Sequence, residues 1–170
     1  DQRLSAMFKI AQILATQHDL GSMLSRFLSC LIGTLDAAET GILLLYDPAN
    51  DRLSIADASG YELDILSQIW IAPGEAMSGK ALQTGRPGLY ATPAEIAEAR
   101  SDLSPLNRDL FERATIGLHE PVSAVCLPLI TGETRVGTIL LETRSNRGRF
   151  TRADLPFLEA VAQLIALSID

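Results

Sequence analysis

Apolar residues recur every three or four positions at both ends of the chain, which is the spacing of amphipathic helices. Two such stretches open the chain, over residues 1–17 and 19–35, and a third closes it, over residues 151–170. The second begins at an aspartate whose carboxylate can accept the free N–H groups of the first turn. The third begins with Thr151 and Asp154, whose three-residue spacing is close to that of a capping box. We therefore predict three terminal helices.

Short apolar runs separated by turn-forming residues predict two β-hairpins, over residues 41–59 and 122–143. The connection inside each hairpin is too short for a crossover helix, so each pair of strands must be antiparallel. In each hairpin one strand is apolar at successive positions, which indicates that both faces of the sheet are covered. The prediction is an α+β fold, an α/β/α sandwich with a central antiparallel sheet of five or six strands.

The segment between the hairpins, residues 61–120, has no regular pattern. It predicts a series of short elements: a strand at Ile69–Ile71, a helix at Met77–Gln83, a strand at Gly88–Ala91, and two helical pieces within Pro93–Ala114. Lids over pockets are built in this way, so we expect this segment to cap one face of the sheet while the terminal helices cover the other. We find no internal repeat or linker, which favours a single domain over residues 1–170.

The last helix carries two apolar seams. One seam contains Leu158 and Ile165, and the other contains Phe157, Val161 and Leu164. One seam can pack on the sheet, so the other needs a second partner. The wide apolar arc of the first helix is a candidate, either within the subunit or across a two-fold axis, and we expect a homodimer through the terminal helices.

Composition and charge narrow the class of protein. The chain has 170 residues, of which 47% are hydrophobic and 21% charged, and its net charge is −7. This balance excludes a disordered chain and argues against nucleic acid and anionic membranes as partners. The apolar runs, such as Ile42–Tyr46, are far shorter than the roughly 20 residues that cross a bilayer, and no leader pattern opens the chain. We expect a cytoplasmic module cut from a longer protein.

The order of elements, together with six short motifs, resembles the GAF domain, a sensory fold. The motifs are Gly41–Pro48, Ala58–Tyr61, Gly74–Pro87, Leu127–Leu129, Val136–Gly137 and Phe150–Asp154. A PAS domain shares the architecture, but it is not expected to show the glycine-rich stretch followed by the Phe-Thr-x-x-Asp helix start. We interpret that glycine-rich stretch as scaffold; a phosphate cradle at a helix N-terminus is the alternative.

A second resemblance concerns the loop before the last helix. Asn146 and Arg147, followed by Phe150 and Asp154, resemble the Asn-Lys…Phe-x-x-x-Asp signature of cyclic-nucleotide-binding GAF domains. Arginine stands in the lysine position, and Leu155 stands where a further glutamate is expected. We interpret these residues as a structural brace, in which Arg147 pairs with the Asp154 carboxylate while Phe150 enters the core.

Candidates for catalysis are few. His18 lies at a helix junction, where a surface role is the default, and His119 lies at the edge of the cap. Cys30 and Cys126 lack the close spacing of metal or redox sites and fit a reducing compartment. They also do not reproduce the reactive cysteines of the free methionine sulfoxide reductases, which are GAF enzymes. We expect no catalytic residues, no metal and no cofactor.

Candidates for ligand binding lie in the cap. Trp70, Tyr90, Arg113 and His119 supply the aromatic and polar groups that small-molecule sites use. Each also has a structural interpretation, with Trp70 and Tyr90 as core of the cap and Arg113 as a charge on a helix surface. These four residues are therefore predicted as a ligand site, with that alternative left open.

The resemblance implies a non-enzymatic sensory or regulatory domain of a bacterial signalling protein. We expect it to bind a small molecule, such as a cyclic nucleotide or another small metabolite. Its terminal helices would relay the bound state to an adjacent output domain, such as a histidine kinase or a diguanylate cyclase. Two alternatives remain: a purely structural dimerisation module with a closed pocket, and a GAF-type methionine sulfoxide reductase.

Overall fold

Side-chain caps start the helices at the positions that the sequence indicates. The Asp19 carboxylate accepts a hydrogen bond from the backbone N–H of Ser22 at 2.9 Å. At the last helix, the Asp154 carboxylate accepts from the backbone N–H of Thr151 at 2.8 Å, which is one half of a capping box. Each bond satisfies a donor that the helix itself leaves unpaired, so the starts of these two helices are fixed by local chemistry.

The computed structural model describes residues 2–17 and 19–169. In chain order the elements are α1 Gln2–Thr16, α2 Leu20–Thr34, β1 Thr40–Asp47, β2 Arg52–Ser59, α3 Leu63–Leu66, β3 Trp70–Ile71, α4 Ala76–Thr84, β4 Gly88–Tyr90, α5 Pro93–Arg100, α6 Pro105–Ala114, β5 Ser123–Thr131, β6 Thr134–Thr143 and α7 Leu155–Ile169. A turn of 3₁₀ helix, Arg152–Asp154, leads into α7. The short helix α3 was not predicted, because four residues are too few to show a helical period.

The six strands form one antiparallel sheet in the order β3-β2-β1-β6-β5-β4. The hairpins β1–β2 and β5–β6 are joined by pairing of β1 with β6, where Leu43 lies opposite Ile139. The short strands β3 and β4 come from the irregular segment and pair with the outer strands β2 and β5. The predicted fold class, with five or six antiparallel strands between helices and a cap, is confirmed.

Each face of the sheet supports its own hydrophobic cluster, because side chains alternate along a strand. Leu43 of β1 and Leu141 of β6 belong to the cluster shared with α1, α2 and α7, which we call the helix cluster. Ile42 and Leu44 of β1 and Leu140 of β6 belong to the cluster shared with α3 to α6, which we call the cap cluster. Neighbouring residues of the same strands therefore contact the two layers.

The terminal helices pack on each other within the subunit. Helix α7 lies against β5 and contacts α1, so the second seam of α7 has a partner inside the chain. Ala6, Ile10 and Ile13 of α1 are buried, whereas Leu4 and Phe8 of the same helix are 59% and 69% exposed. Among the described residues, no helix combines the length and the hydropathy that a bilayer crossing requires.

Candidate functional site

A small cavity lies between the cap and the sheet. Its floor includes Ile42, Leu44 and Leu140, and its roof includes Met77 and Phe111. The volume open to a water-sized sphere is about 40 Å³. One water needs roughly 10–15 Å³ by this measure, so the cavity as it stands admits a group of a few heavy atoms.

Arg100 is the only ionisable residue among those that line this cavity in the described chain. It is the last residue of α5, and its guanidinium lies over the ring of Phe111, 4.6 Å from the centroid. The carboxylate of Glu120 is 4.0 Å away. Burial lowers the pKa of Arg100 from its ordinary value, and a positively charged neighbour, Arg144, adds to this effect. An arginine stays protonated at neutral pH even so, so a positive charge lies next to a cavity whose lining is almost entirely apolar.

A buried polar network stands beside the cavity, where β6 ends. The guanidinium of Arg144, 6% exposed, donates to the Thr40 hydroxyl at 3.0 Å, the Tyr61 hydroxyl at 2.8 Å and the His119 carbonyl at 2.7 Å. It also forms an ion pair with Glu142 at 3.2 Å. The network ties β1 and β6 to both ends of the cap, because Tyr61 and His119 lie at the two boundaries of that segment.

Glu142 is the acidic residue of this network, and it is fully buried. Its residue exposure is 0%, and one carboxylate oxygen, Oε1, contacts Arg144, Tyr61 and Thr40. The other oxygen, Oε2, is buried with no hydrogen-bond partner in the described residues. Burial therefore raises the pKa of Glu142, and Arg144 opposes this effect.

The four residues predicted to bind a ligand do not converge. Trp70 is 44% exposed on the edge strand β3, with the guanidinium of Arg52 over its ring. Arg113 is exposed and pairs with Asp109 at 3.6 Å, which matches its alternative interpretation as a helix-surface charge. The side chain of His119 is exposed, and only its carbonyl enters the network. The other predicted histidine, His18, lies outside the described residues.

Tyr90, the fourth predicted residue, is half-buried and packs at the margin of the cap cluster. It lines an outer groove with Lys80 and Asp102, and it does not line the cavity. Burial raises the pKa of its hydroxyl to about 12. The four predicted residues therefore belong to the segment that caps the sheet, and none of them lines the cavity.

The predicted brace consists of Arg147, Phe150 and Asp154, and the structure corrects the role of Arg147. Phe150 is buried in the helix cluster, 2% exposed. The ion-pair partner of Asp154 is Arg3 of α1, at 2.5 Å, and not Arg147, which is exposed. Helix α1 runs beside the start of α7, and this contact joins residues 151 positions apart, which no local pattern can indicate.

The residues that sequence reasoning missed are Arg100, Glu142 and Arg144. The signal for Glu142 was present, because it follows three apolar residues in a strand whose two faces are both covered. An acid at such a position needs a buried partner, and Arg144 is the nearest cation in the sequence. Arg100 gave no comparable signal, since arginine is common near the end of an exposed helix.

Both cysteines are free thiols. Cys126 is completely buried, and burial raises the pKa of its thiol to about 12. Its sulfur lies in β5, 3.9 Å from the hydroxyl of Ser78 in α4. Cys30 is half-buried in α2, on the opposite face of the sheet. The buried environment of Cys126 therefore disfavours the thiolate, which is the reactive form of cysteine.

Comparison with known proteins places the chain in a family. A family model described as GAF domain matches residues 17–170. The nitrogen fixation protein AnfA of Azotobacter vinelandii is 27% identical over 165 residues, which make up 96% of this chain and 29% of that protein. The chain thus spans less than a third of the length of this curated relative.

Solved structures share the fold at low sequence identity. The GAF domain of a phosphoenolpyruvate-protein phosphotransferase from Coxiella burnetii superposes with a TM-score of 0.78 at 16% identity, covering 99% of this chain and 92% of that one. The free methionine-R-sulfoxide reductase of Neisseria meningitidis superposes with a TM-score of 0.72 at 17% identity, covering 99% of this chain and 90% of that one. A domain of a phosphotransferase and a free methionine-R-sulfoxide reductase therefore share this architecture, so the fold alone does not assign a function.

Proposed function

The chain belongs to the GAF domain family, and from this premise we propose that it is a non-catalytic regulatory domain of a larger signalling protein. Its cap-side cavity binds a small molecule, and its terminal helices pass the bound state to an adjacent domain. The observation that carries this proposal is the apolar cavity between cap and sheet, with a single cationic residue at its edge. Apolar pockets with few polar groups are typical of small-molecule sites.

The cysteine environments support a regulatory role over reductase chemistry. A thiol that reduces a sulfoxide must reach the substrate as a thiolate. Cys126 is sealed beneath the cap with its pKa raised to about 12, and Cys30 lies in the helix layer, away from the cavity. Neither cysteine is therefore placed to supply the nucleophile that the methionine sulfoxide reductase alternative requires at this cavity.

The sheet offers a route from the cavity to the terminal helices. Leu140 of β6 lines the cavity, and its neighbours Ile139 and Leu141 pack in the helix cluster. A ligand that fits one position of β6 better than another favours that position in both layers at once. The free energy by which the ligand shifts the equilibrium between the two arrangements can be no larger than the difference in its binding free energy for them.

The size of the cavity favours a second candidate, a structural dimerisation module with a closed pocket. About 40 Å³ does not hold a cyclic nucleotide, so a ligand of that size needs the cap to open. The exposed Leu4 and Phe8 of α1 offer apolar area for a second copy of the chain. A homodimer through α1 is compatible with both candidates, so ligand binding is what separates them.

A thermal-shift screen tests small-molecule binding. We expect at least one compound among cyclic nucleotides, nucleobases and short carboxylates to raise the unfolding midpoint. A ligand at 100 times its Kd adds about 2.7 kcal/mol of stability, which corresponds to roughly 5–10 °C for a domain of this size. The measurement is the midpoint by differential scanning fluorimetry at fixed pH and ionic strength.

The matched control is Ile55→Phe, which places a larger side chain at the half-buried margin of the cavity. Its unfolding midpoint without ligand should stay within a few degrees of the original. Its response to the active compound should disappear. A screen in which no compound moves the midpoint, or in which Ile55→Phe responds fully, contradicts the proposal and leaves the dimerisation module.

A further inference from the structure

A pair of charged residues joins the start of α4 to the end of α5. The Lys80 ammonium donates to the Asp102 carboxylate at 2.6 Å and to the Ala99 carbonyl at 3.1 Å. It also donates to the Ala76 carbonyl at 3.4 Å, so each of its three N–H groups has an acceptor. Asp102 in turn accepts from the backbone N–H of Ala76 at 2.8 Å. We call this set of contacts the Lys80 latch.

The latch lies between the outer groove and the cavity. Lys80, Ala99 and Asp102 line the groove on the solvent side. Ala76 and Leu103 line the cavity on the inner side. Ala76 is therefore shared by the latch and the cavity, and Leu103 follows Asp102 directly in the chain. If α5 separated from α4 at the latch, the groove and the cavity would join.

The backbone of Ala76 is strained where the latch holds it. Its φ is +56°, in the left-handed region, where the Cβ of any residue other than glycine lies too close to the following carbonyl oxygen. The residue is 8% exposed, and the latch bonds both its N–H and its carbonyl. Such strain persists only where surrounding contacts enforce it. The latch therefore keeps Ala76 in a conformation that alanine itself disfavours.

The elements on either side of the latch are held unequally. Arg135 of β6 donates to the carbonyls of Leu82 and Gln83, which fixes the last turn of α4 on the sheet. The Glu75 carboxylate accepts from the backbone N–H of Ser104 at 2.9 Å, which ties the start of α4 to the start of α6.

Helix α5 is attached more weakly than α4. Only Ile96 and Ala99 of its eight residues are buried. The side chains of Lys80 and Asp102, which tie its end to α4, are 39% and 46% exposed, so water competes for their contacts. Segments with few buried apolar contacts open at the lowest free energy. The end of α5 is therefore the part that separates when the latch breaks.

We propose that the Lys80 latch controls access to the cavity. While Lys80 holds Asp102 and Ala99, the end of α5 closes the cavity; when these contacts break, the cavity and the outer groove form one site. The strain at Ala76 favours opening, and the latch opposes it. This inference rests on the proposed function for the purpose of the opening, since a ligand too large for about 40 Å³ requires it. Its test needs no ligand.

The reactivity of Cys126 measures the opening. Its thiol is completely buried in β5, which both α4 and α5 contact, and lies 3.9 Å from the Ser78 hydroxyl. The 170-residue chain carries Cys30→Ser, so that Cys126 is its one thiol, and reacts with excess dithiodipyridine while folded. The rate is followed by absorbance.

Lys80→Met should raise the labelling rate about tenfold, because it removes charge-assisted hydrogen bonds that hold the end of α5 on α4. Lys9→Met is the matched control. It makes the same change at the other lysine of the chain, which is exposed on α1. The labelling rate of this control should equal that of the original chain.

Ala76→Gly should change the labelling rate in the opposite direction. Glycine adopts a positive φ without strain, so the closed state is favoured and labelling should slow severalfold. Because this variant removes strain, it keeps the inference testable if Lys80→Met folds poorly. All rates are also measured at low urea concentrations. Local opening exposes little surface, so its rate should hardly depend on urea, whereas labelling through global unfolding rises steeply.

The outcomes separate this inference from the proposed function. Equal labelling rates in Lys80→Met and Lys9→Met overturn the latch, and so does an increase that rises steeply with urea. Faster labelling in Ala76→Gly overturns the role of strain. Either failure leaves the small-molecule cavity to the thermal-shift screen. If the screen finds no compound while the latch variants behave as expected, the proposed function fails and the opening of the cavity stands.

Discussion

Replacing Arg144 with methionine is expected to lower the free energy of unfolding by about 3–5 kcal/mol, the usual cost of removing one partner of a buried ion pair. The substitution deletes hydrogen bonds to Thr40, Tyr61 and the His119 carbonyl, and it leaves Glu142 buried without a cation. Urea denaturation at neutral pH measures the loss.

The control is Arg147→Met, which makes the same change at an exposed arginine three residues later. This variant should stay within about 0.5 kcal/mol of the original chain, as surface substitutions usually do. Similar small losses for both variants would show that the network around Arg144 contributes nothing to stability.

The effect of Arg144→Met also depends on pH. Burial raises the folded-state pKa of Glu142 above its ordinary value of 4.5, and removal of Arg144 raises it further. A raised folded pKa stabilises the protein below the unfolded value, and that stability is lost as pH rises through the folded pKa. The difference in unfolding free energy between the original chain and Arg144→Met should therefore shrink as pH falls towards 4.5. If this difference is constant from pH 5 to pH 8, it does not arise from the charge of Glu142.

Gly137→Ala is expected to destabilise the domain by more than about 3 kcal/mol, the upper range of overpacking in a rigid site. A Cβ at this position in β6 would lie 2.0 Å from the backbone oxygen of Leu44 in β1. Backbone atoms in the middle of a sheet cannot move aside as a flexible side chain can. The two hairpins meet at this contact, so the variant tests their junction through its unfolding curve in urea.

Gly33→Ala is the matched control, because a Cβ there meets no atom within 4 Å. Gly33 is exposed in α2, where alanine is favoured over glycine by about 0.5–1 kcal/mol. The same chemical change should therefore have opposite signs at the two glycines. A mild effect at Gly137, comparable in size to that at Gly33, would contradict the close pairing of β1 with β6.

Local patterns predicted the framework because its causes are local. The Asp19 cap, the two hairpins and the Thr151–Asp154 start are each decided within a few residues, and they agree with the structure. Helix α3 escaped prediction because its burial depends on Leu66 reaching the cap cluster and not on a repeat within the helix.

The site was predicted less well because it depends on distant contacts. Arg100, Phe111 and Leu140 meet only when the cap folds over the sheet. Trp70 and Arg113 have suitable side chains but lie on surfaces that face away from the cavity, a fact fixed by strand pairing and helix rotation. The pairing of Arg3 with Asp154 likewise requires the first and last helices to be adjacent.

The most direct measurement of the central claim, that a ligand in the cap-side cavity alters both layers, is a methyl NMR titration. The chain is titrated with each compound that raises its unfolding midpoint. Saturable shifts are expected first at Ile42, Leu44 and Leu140 in the cavity, with smaller changes at Ile139 and Leu141 on the helix side of β6. Saturable binding that leaves the cavity methyl groups unmoved would contradict the account.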